Sequence, residues 1–160
     1  MSYLEYRNTN NDLIVQLPSS ELRNMKRLCN KANPCETGGI LIGHYSPDNH
    51  SAIITKVTAA PSQSKATHNR FFRSNVGILK ILDKLWINGE YYLGEWHYHP
   101  NATPQPSHID IDSMKAIANN QNLHCPEPIL IIIGGNAQSG WDEYVGVQMS
   151  QSTISLYSLQ

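Results

Sequence analysis

Long hydrophobic runs and a strong charge of one sign are both missing from this 160-residue sequence. No stretch approaches the roughly 20 apolar residues that a membrane-spanning helix needs, and the start of the chain lacks the basic and apolar regions of a secretory signal. Twelve basic residues against thirteen acidic ones leave a formal charge of −1. Such a balance provides no general attraction to nucleic acid or to an anionic membrane. We therefore expect a soluble, cytoplasmic protein that binds neither.

Cysteine is also scarce, because only Cys29, Cys35 and Cys125 occur and their spacing is irregular. An odd number in this arrangement argues against a disulfide framework and is typical of a reducing compartment. The composition, with 40% hydrophobic and 16% charged residues, is that of a globular protein. No repeat, low-complexity block or Gly/Ser linker divides the chain. Residues 1–160 are therefore predicted to form one domain with its own core.

Hydrophobic periodicity predicts short strands interleaved with three helices. The helices are expected from a cap at Ser19 or Ser20 to just before Asn33, from about Asn75 to Asn88, and from a cap at Ser107 to about Asn122. Strands are expected at 12–18, 38–46, 51–59, 91–99 and 128–135, and in the later segments DEYVGVQMS and TISLYSL. This order predicts an α/β fold, in which a mixed β-sheet is covered by helices on its faces.

The segment GEWHYHPNATPQPSHIDIDSM, residues 94–114, concentrates histidines and carboxylates. In an extended strand, residues i and i+2 face the same way, roughly 6.5–7 Å apart. His97 and His99 can thus converge on one ion while Tyr98 points away. A helix that begins at Ser107 would place Asp110 in its first turn, facing the strand end. Two imidazoles and one carboxylate, with a fourth position open to water, are typical of a catalytic zinc site.

Each half of this pattern also has a simpler interpretation. SHID can be a capping box in which Asp110 only serves the start of the helix. A pair of histidines at a strand end is common as well. The full pattern H-x-H-P-x6-S-x2-D is far more specific, and it favours a metal site. Asp112 is a rival ligand, but it should point away from the helix face that carries Asp110 and remain solvated.

A hydrolytic zinc site also needs a proton acceptor that is not itself a ligand. Two glutamates are candidates. Glu95 lies on the strand face of His97 and His99, whereas Glu36 starts the segment ETGGILIG, whose strand could run beside the histidine strand. Sequence spacing does not choose between them.

The sequence resembles the JAMM (JAB/MPN) metallopeptidases in the segment ETGGILIGH and in the later segment GEWHYHPNATPQPSHIDIDSM. Every position of the family signature E…H-x-H-P-x6-S-x2-D is filled. The resemblance covers at least residues 34–135 and implies a three-layer αβα fold like that of cytidine deaminases. It also implies one zinc ion per chain and a role for each signature residue. These roles are zinc ligation by His97, His99 and Asp110, general base catalysis by Glu36, and support of the oxyanion by the hydroxyl of Ser107. Glu95 becomes a structural acid behind the ligands, and Tyr98 stands where relatives most often have Ser or Thr.

The sequence also resembles a narrower group, the compact bacterial JAMM proteins of anti-phage and ubiquitin-like conjugation operons. This group includes the proteins that accompany cGAS-like nucleotidyltransferases. The similarity lies in the segments HNRFFRSN, LDKLWINGEYYLGEWHYHP and PSHID. This similarity implies an isopeptidase. Its substrate would be a conjugated protein with an extended C-terminal tail, either a ubiquitin-like protein or a nucleotidyltransferase, cut at the amide bond after that tail.

Four alternatives compete with this interpretation. A thiol peptidase would use Cys35 with one of the histidines, but it leaves Asp110 unexplained. A zinc deaminase would need H-x-E and P-C-x-x-C, which the sequence around Cys125 does not supply. A non-catalytic scaffold of the same fold normally lacks one or more of the ligands. A peptidase that processes a sulfur-carrier protein would keep the chemistry and change the substrate. The basic and aromatic residues at 70–73 could either anchor the core or dock a partner.

Overall fold

The computed structural model describes residues 2–59 and 75–159. The basic and aromatic residues at 70–73 lie outside these residues. Within them the chain forms, in order, β1 (Tyr3–Arg7), β2 (Ile14–Pro18), α1 (Ser19–Ala32), β3 (Gly38–Tyr45), β4 (Ser51–Val57), α2 (Asn75–Ile87), β5 (Tyr91–Pro100), α3 (His108–Asn119), β6 (Ile129–Asn136), β7 (Gly140–Gln148) and β8 (Thr153–Ser158). Among the described residues, no helix has both the length and the apolar character that crossing a bilayer requires.

The strands form one mixed sheet in the order β1-β2-β4-β3-β5-β6-β7-β8. The β2–β4 and β5–β6 pairs are parallel, and the other neighbours are antiparallel. β1 also pairs with β8 through Tyr6 opposite Ser158 and Arg7 opposite Tyr157, so that the sheet closes into a barrel. The predicted mixed sheet is confirmed. Its closure was not predicted.

Helices cover both faces of this sheet, as the sequence predicted. Successive residues of β6 alternate between two buried hydrophobic clusters, because side chains along a strand point to opposite faces. The larger cluster contains Ile129, Ile131 and Ile133 and is covered by α1 through Leu22, Met25 and Cys29. The second contains Leu130 and Ile132 and is covered by α3 through Met114 and Ile117. β6 is thus buried on both sides, as expected of a strand with parallel pairing.

The local predictions contain three errors. The first is an omission, because β1 was not predicted. Neither Ser19 nor Ser20 caps α1, because the helix already begins at Ser19, has Pro18 at the N-cap position and has no side-chain cap. The Ser19 N–H instead donates to the backbone oxygen of Ser2, just before β1, at 2.9 Å. The third error concerns α3, which ends at Asn119 instead of about Asn122 because Asn120 has left helical geometry (φ −83°, ψ 104°).

The pairing of β3 with β5 determines what lies beside the histidine strand. Gly38 is opposite His97, and Gly39 is opposite Trp96. A Cβ atom on Gly39 would lie 1.7 Å from the carbonyl oxygen of Thr58, so only glycine allows this close packing. On its other side β5 pairs with β6, with His99 opposite Gly134.

Candidate active site

His97, His99 and Asp110 meet at the end of β5. Nδ1 of His97 lies 2.9 Å from Oδ1 of Asp110, and Nε2 of His99 lies 3.4 Å from Oδ2 of the same carboxylate. Asp110 is fully buried, His97 is 3% exposed, and the His99 side chain is 18% exposed. The strand alternation and the turn into α3 therefore bring these three residues together. His99 faces the opening of the cluster.

Asp110 is held in place by the start of α3. Ser107 is the N-cap residue, its Oγ accepts from the Asp110 N–H at 3.2 Å, and Oδ2 of Asp110 accepts from the Ser107 N–H at 2.8 Å. These two bonds form the capping box that the sequence offered as the simpler interpretation. The same carboxylate also contacts both histidines, so the two interpretations are compatible. The cap orients Asp110 toward the strand.

Glu95 lies behind His97. Its Oε2 is 3.2 Å from Nε2 of His97, and its Oε1 accepts from the Tyr92 hydroxyl at 3.3 Å. Tyr92 and Glu95 are three residues apart and would face opposite sides of a regular strand. The β3–β5 register shifts here, because Gly94 is opposite Leu41 while Tyr92 is opposite Ile42. This bulge, at which Gly94 has φ +148°, returns Tyr92 to the face of Glu95.

The pKa values of His97 and Asp110 are strongly shifted in the buried cluster. Burial disfavours the charged form of His97, but the hydrogen bonds to Asp110 and Glu95 outweigh this and raise the pKa of His97 to about 9. Burial also opposes ionisation of Asp110. His97, His99 and the Ser107 N–H nevertheless hold the pKa of Asp110 well below its usual range. Without a metal, the cluster is therefore an imidazolium hydrogen-bonded to a carboxylate at neutral pH.

Glu36 lies on the segment that leads into β3. The Tyr98 N–H donates to the Thr37 carbonyl oxygen at 2.8 Å, which continues the antiparallel pairing beyond Gly38 and His97. Continued by one more residue, this register would bring Glu36 level with His99. Because directly opposed residues share a face of a sheet, we expect Glu36 on the face of the two histidines. It is half-buried, whereas Glu95 is only 6% exposed.

Whether these residues suit a metal ion depends on their donor atoms. Among the described residues, no group of three or more His, Cys, Asp or Glu side chains is arranged around an ion. The rings of His97 and His99 instead contact Asp110 directly. Two imidazoles and one carboxylate are nevertheless the kind of donors that a catalytic zinc takes. By its chemistry the donor set therefore suits zinc, while the three side chains are hydrogen-bonded to one another in this structure.

The cysteines and the rival carboxylate have different surroundings. Cys125 is buried in the second hydrophobic cluster, and burial raises the pKa of its thiol to about 12, which is unsuited to a metal-binding thiolate. Cys35 is exposed. Asp112 is exposed too, as predicted. Of the other histidines, His124 stacks on Trp86 with ring centroids 5.7 Å apart, and His50 contacts the Asp12 carbonyl oxygen at 3.1 Å.

Two features of the site were missed by the sequence analysis. The contact between Tyr92 and Glu95 depends on the bulge, and only Gly94 hinted at one. The second feature is the buried hydroxyl of Tyr98, which donates to the Gly135 carbonyl oxygen at 2.7 Å and accepts from Nδ2 of Asn33 at 2.8 Å. The tyrosine between the two histidines, where relatives most often have Ser or Thr, was the available signal.

Comparison with known proteins agrees with the fold. Residues 18–145 match the family described as prokaryotic homologs of the JAB domain. The chain belongs to this family, and the predicted resemblance to JAB/MPN proteins is confirmed. A CD-NTase/cGAS isopeptidase from Enterobacter hormaechei subsp. hoffmannii is 43% identical over 122 residues, which are 76% of this chain and 68% of that protein.

Two further proteins are similar to this chain. The probable metalloprotease y4qB of Sinorhizobium fredii is 27% identical over 130 residues, 79% of each chain. The solution structure of protein DSY2949 from Desulfitobacterium hafniense superposes with a TM-score of 0.64 at 17% identity and covers 86% of both chains. At this identity the likeness establishes the fold alone, and it confirms the predicted α/β class.

Proposed function

We propose that the chain is a zinc-dependent isopeptidase that hydrolyses the amide bond after the C-terminal tail of a conjugated protein. The observation that carries the proposal is the convergence of His97 and His99 on the buried Asp110, with Glu36 two residues before the neighbouring strand β3. The names of the two relatives, a CD-NTase/cGAS isopeptidase and a probable metalloprotease, support hydrolysis of an amide.

His97, His99 and Asp110 would hold one zinc ion per chain. When bound, zinc supplies a Lewis acid that polarises the scissile carbonyl and lowers the pKa of a water molecule toward about 7. The capping box and the contact with Glu95 keep Asp110 and His97 oriented for this task.

Glu36 is the general base in this proposal. It takes a proton from the attacking water as the new bond to the carbonyl carbon forms, and it gives that proton to the amine when the C–N bond breaks. Glu95 is less suitable, because its oxygens already face the Tyr92 hydroxyl and the His97 ring and it is almost completely buried. We therefore assign Glu95 to the support of His97.

Ser107 would support the oxyanion. Its Oγ lies 2.9 Å from Oδ2 of Asp110, to which the hydroxyl donates. Rotation about the Cβ–Oγ bond redirects this hydrogen without moving the oxygen, and Ser107 is exposed. The hydroxyl can therefore leave Asp110 and donate to the developing negative charge.

The substrate we propose is a cytoplasmic protein joined through its C-terminal tail to a lysine or to another chain. The name of the Enterobacter relative favours a cGAS-like nucleotidyltransferase. We propose anti-phage defence as the setting, from the resemblance of the sequence to proteins of such operons. Small residues at the tail end would let its backbone approach the metal closely.

The test offers the same nucleotidyltransferase tail in three forms to the zinc-loaded protein: joined to a lysine of a second protein, as a linear fusion, and as a short free peptide. We expect cleavage of the lysine-linked and fused forms, and cleavage that is slower by about 10²–10⁴-fold with Glu36→Gln. Equal cleavage of the short peptide would indicate a general peptidase. Preference for a sulfur-carrier tail tested in parallel would change the substrate assignment.

A further inference from the structure

We propose that Tyr98 is a positioning residue whose buried hydroxyl fixes the segment carrying Glu36 against the two histidines. The inference rests on the proposed role of Glu36. Tyr98 lies between His97 and His99 in β5, but its side chain belongs to the opposite face, in the larger hydrophobic cluster, and is 0% exposed. Its ring packs against Trp141 with centroids 5.9 Å apart.

The hydroxyl of Tyr98 donates one hydrogen bond and accepts another. It donates to the Gly135 carbonyl oxygen of β6 at 2.7 Å and accepts from Nδ2 of Asn33 at 2.8 Å. Burial raises the pKa of Tyr98, so the phenol keeps the proton that it donates. A buried hydroxyl that uses both donor and acceptor is costly to remove, because its partners lose their hydrogen bonds.

Asn33 connects this hydroxyl to a wider group of amides. Its Nδ2 also lies 3.1 Å from Oδ1 of Asn101, and the same oxygen accepts from Nδ2 of Asn136 at 2.9 Å. We call Asn33, Tyr98, Asn101 and Asn136 the asparagine–tyrosine cluster. It joins three segments: the α1–β3 connection with Glu36, the β5–α3 connection with Ser107, and the β6–β7 turn.

The α1–β3 connection is attached to Tyr98 at two points. Near its start, Asn33 binds the hydroxyl, and its own N–H donates to the Cys29 carbonyl oxygen at the end of α1. Near its end, the Thr37 carbonyl oxygen accepts from the Tyr98 N–H. Glu36 lies between these two attachments.

The double attachment makes Tyr98 a link between base and ligands. The neighbours of Tyr98 in β5 are the two histidines, so one residue determines the position of Glu36 relative to both. Phenylalanine would keep the ring and the backbone bond but remove the bond between the hydroxyl and Asn33, which would keep its bonds to Cys29 and Asn101. The segment with Glu36 would then be attached to Tyr98 at one point only, and a displacement of about 1 Å can reduce turnover by up to about 10²-fold.

The first experiment compares Tyr98→Phe with Tyr6→Phe. Tyr6 is a suitable control, because it is 3% exposed in the same cluster and its hydroxyl donates to Glu143 at 2.9 Å, away from the three segments. For Tyr98→Phe we expect faster amide hydrogen exchange in peptides covering 33–37, unchanged zinc content, a fall in kcat of about 10-fold and an unchanged KM. Exchange and kcat equal to those of Tyr6→Phe would overturn the proposal.

The second experiment separates positioning from general loosening of the protein. In single-turnover assays, Tyr98→Phe should add no further loss to Glu36→Gln, because the base it positions is already gone. An equal loss in both backgrounds would show that Tyr98 acts independently of Glu36, and would overturn the proposal. If Tyr98→Phe does not fold, Asn33→Ala cuts the same link from the other side. If the wild type cleaves no conjugate, the proposed function fails, and exchange at 33–37 alone decides whether Tyr98 anchors the segment.

Discussion

Oδ1 of Asp110 lies 2.9 Å from Nδ1 of His97, and both side chains are almost completely withdrawn from solvent. A buried charged pair of this kind is not an efficient source of stability, because desolvation offsets much of the attraction. The two side chains are joined by His99 at the open side of the cluster and by Glu95 behind it. Function explains this concentration of titratable groups better than stability does.

Zinc content provides the most direct check of the ligand assignment. His97→Ala and Asp110→Ala should each purify with far less than one zinc per chain, because two remaining ligands bind zinc poorly. Elemental analysis of the purified proteins measures this. Asp112→Ala is the matched control, since Asp112 is an exposed carboxylate two residues further along the same helix. Full occupancy in both ligand variants would refute the assignment.

The stability of the metal-free protein should decrease from pH 5.5 to pH 8.5. The pKa of His97 is raised to about 9, above the ordinary value near 6.5, so its stabilisation is complete below about pH 6.5 and is lost as the pH rises through 9. The lowered pKa of Asp110 has the opposite effect on the pH dependence. The ionised carboxylate stabilises the folded state above about pH 4, and this stabilisation is lost as the pH falls further. We therefore expect maximum stability between about pH 4 and 6.5.

Urea unfolding of the metal-free protein at the two pH values measures this trend. In Asp110→Asn the anionic partner of His97 is lost, and the difference between the two pH values should shrink. The zinc-loaded protein should show the opposite dependence below about pH 6, because zinc requires neutral imidazoles and competes with protons for them. A metal-free protein equally stable at pH 5.5 and pH 8.5 would contradict the proposed ionisation of the cluster.

Ser107 should contribute to both stability and turnover. Ser107→Ala removes the N-cap of α3 and should lower the free energy of unfolding by about 1 kcal/mol, within the usual 0.5–2 kcal/mol for such a loss. It should also lower kcat, by as much as the 10²–10³-fold that the loss of an oxyanion donor costs. Ser107→Thr keeps the hydroxyl and should recover most of both. Unchanged kcat in Ser107→Ala, despite the lost stability, would limit Ser107 to the cap.

Much of the fold and of the candidate site could be predicted because it depends on local pattern. The alternation around Tyr98 placed His97 and His99 on one face, and the spacing from Ser107 to Asp110 defined both a cap and a carboxylate facing the strand. Pairing between distant segments could not be predicted in this way. Tyr6 opposite Ser158 closes the barrel across almost the whole chain, and the bond from Asn33 to Tyr98 spans 65 residues. Periodicity within a window carries no information on such partners.

The two glutamates near the histidines should respond differently to the same substitution. Glu36→Gln should retain zinc and stability but lose turnover by about 10²–10⁴-fold, because the amide cannot accept the proton that a positioned base removes. Glu95→Gln should affect the metal more than the chemistry, since Glu95 contacts His97 and the loss of such a partner typically weakens metal affinity by about 10–100-fold. Zinc affinity and single-turnover rates at saturating zinc, measured on both variants, separate the two roles. If Glu95→Gln abolished turnover with zinc bound while Glu36→Gln remained active, Glu95 would be the base, and the expected position of Glu36 opposite His99 would need another explanation.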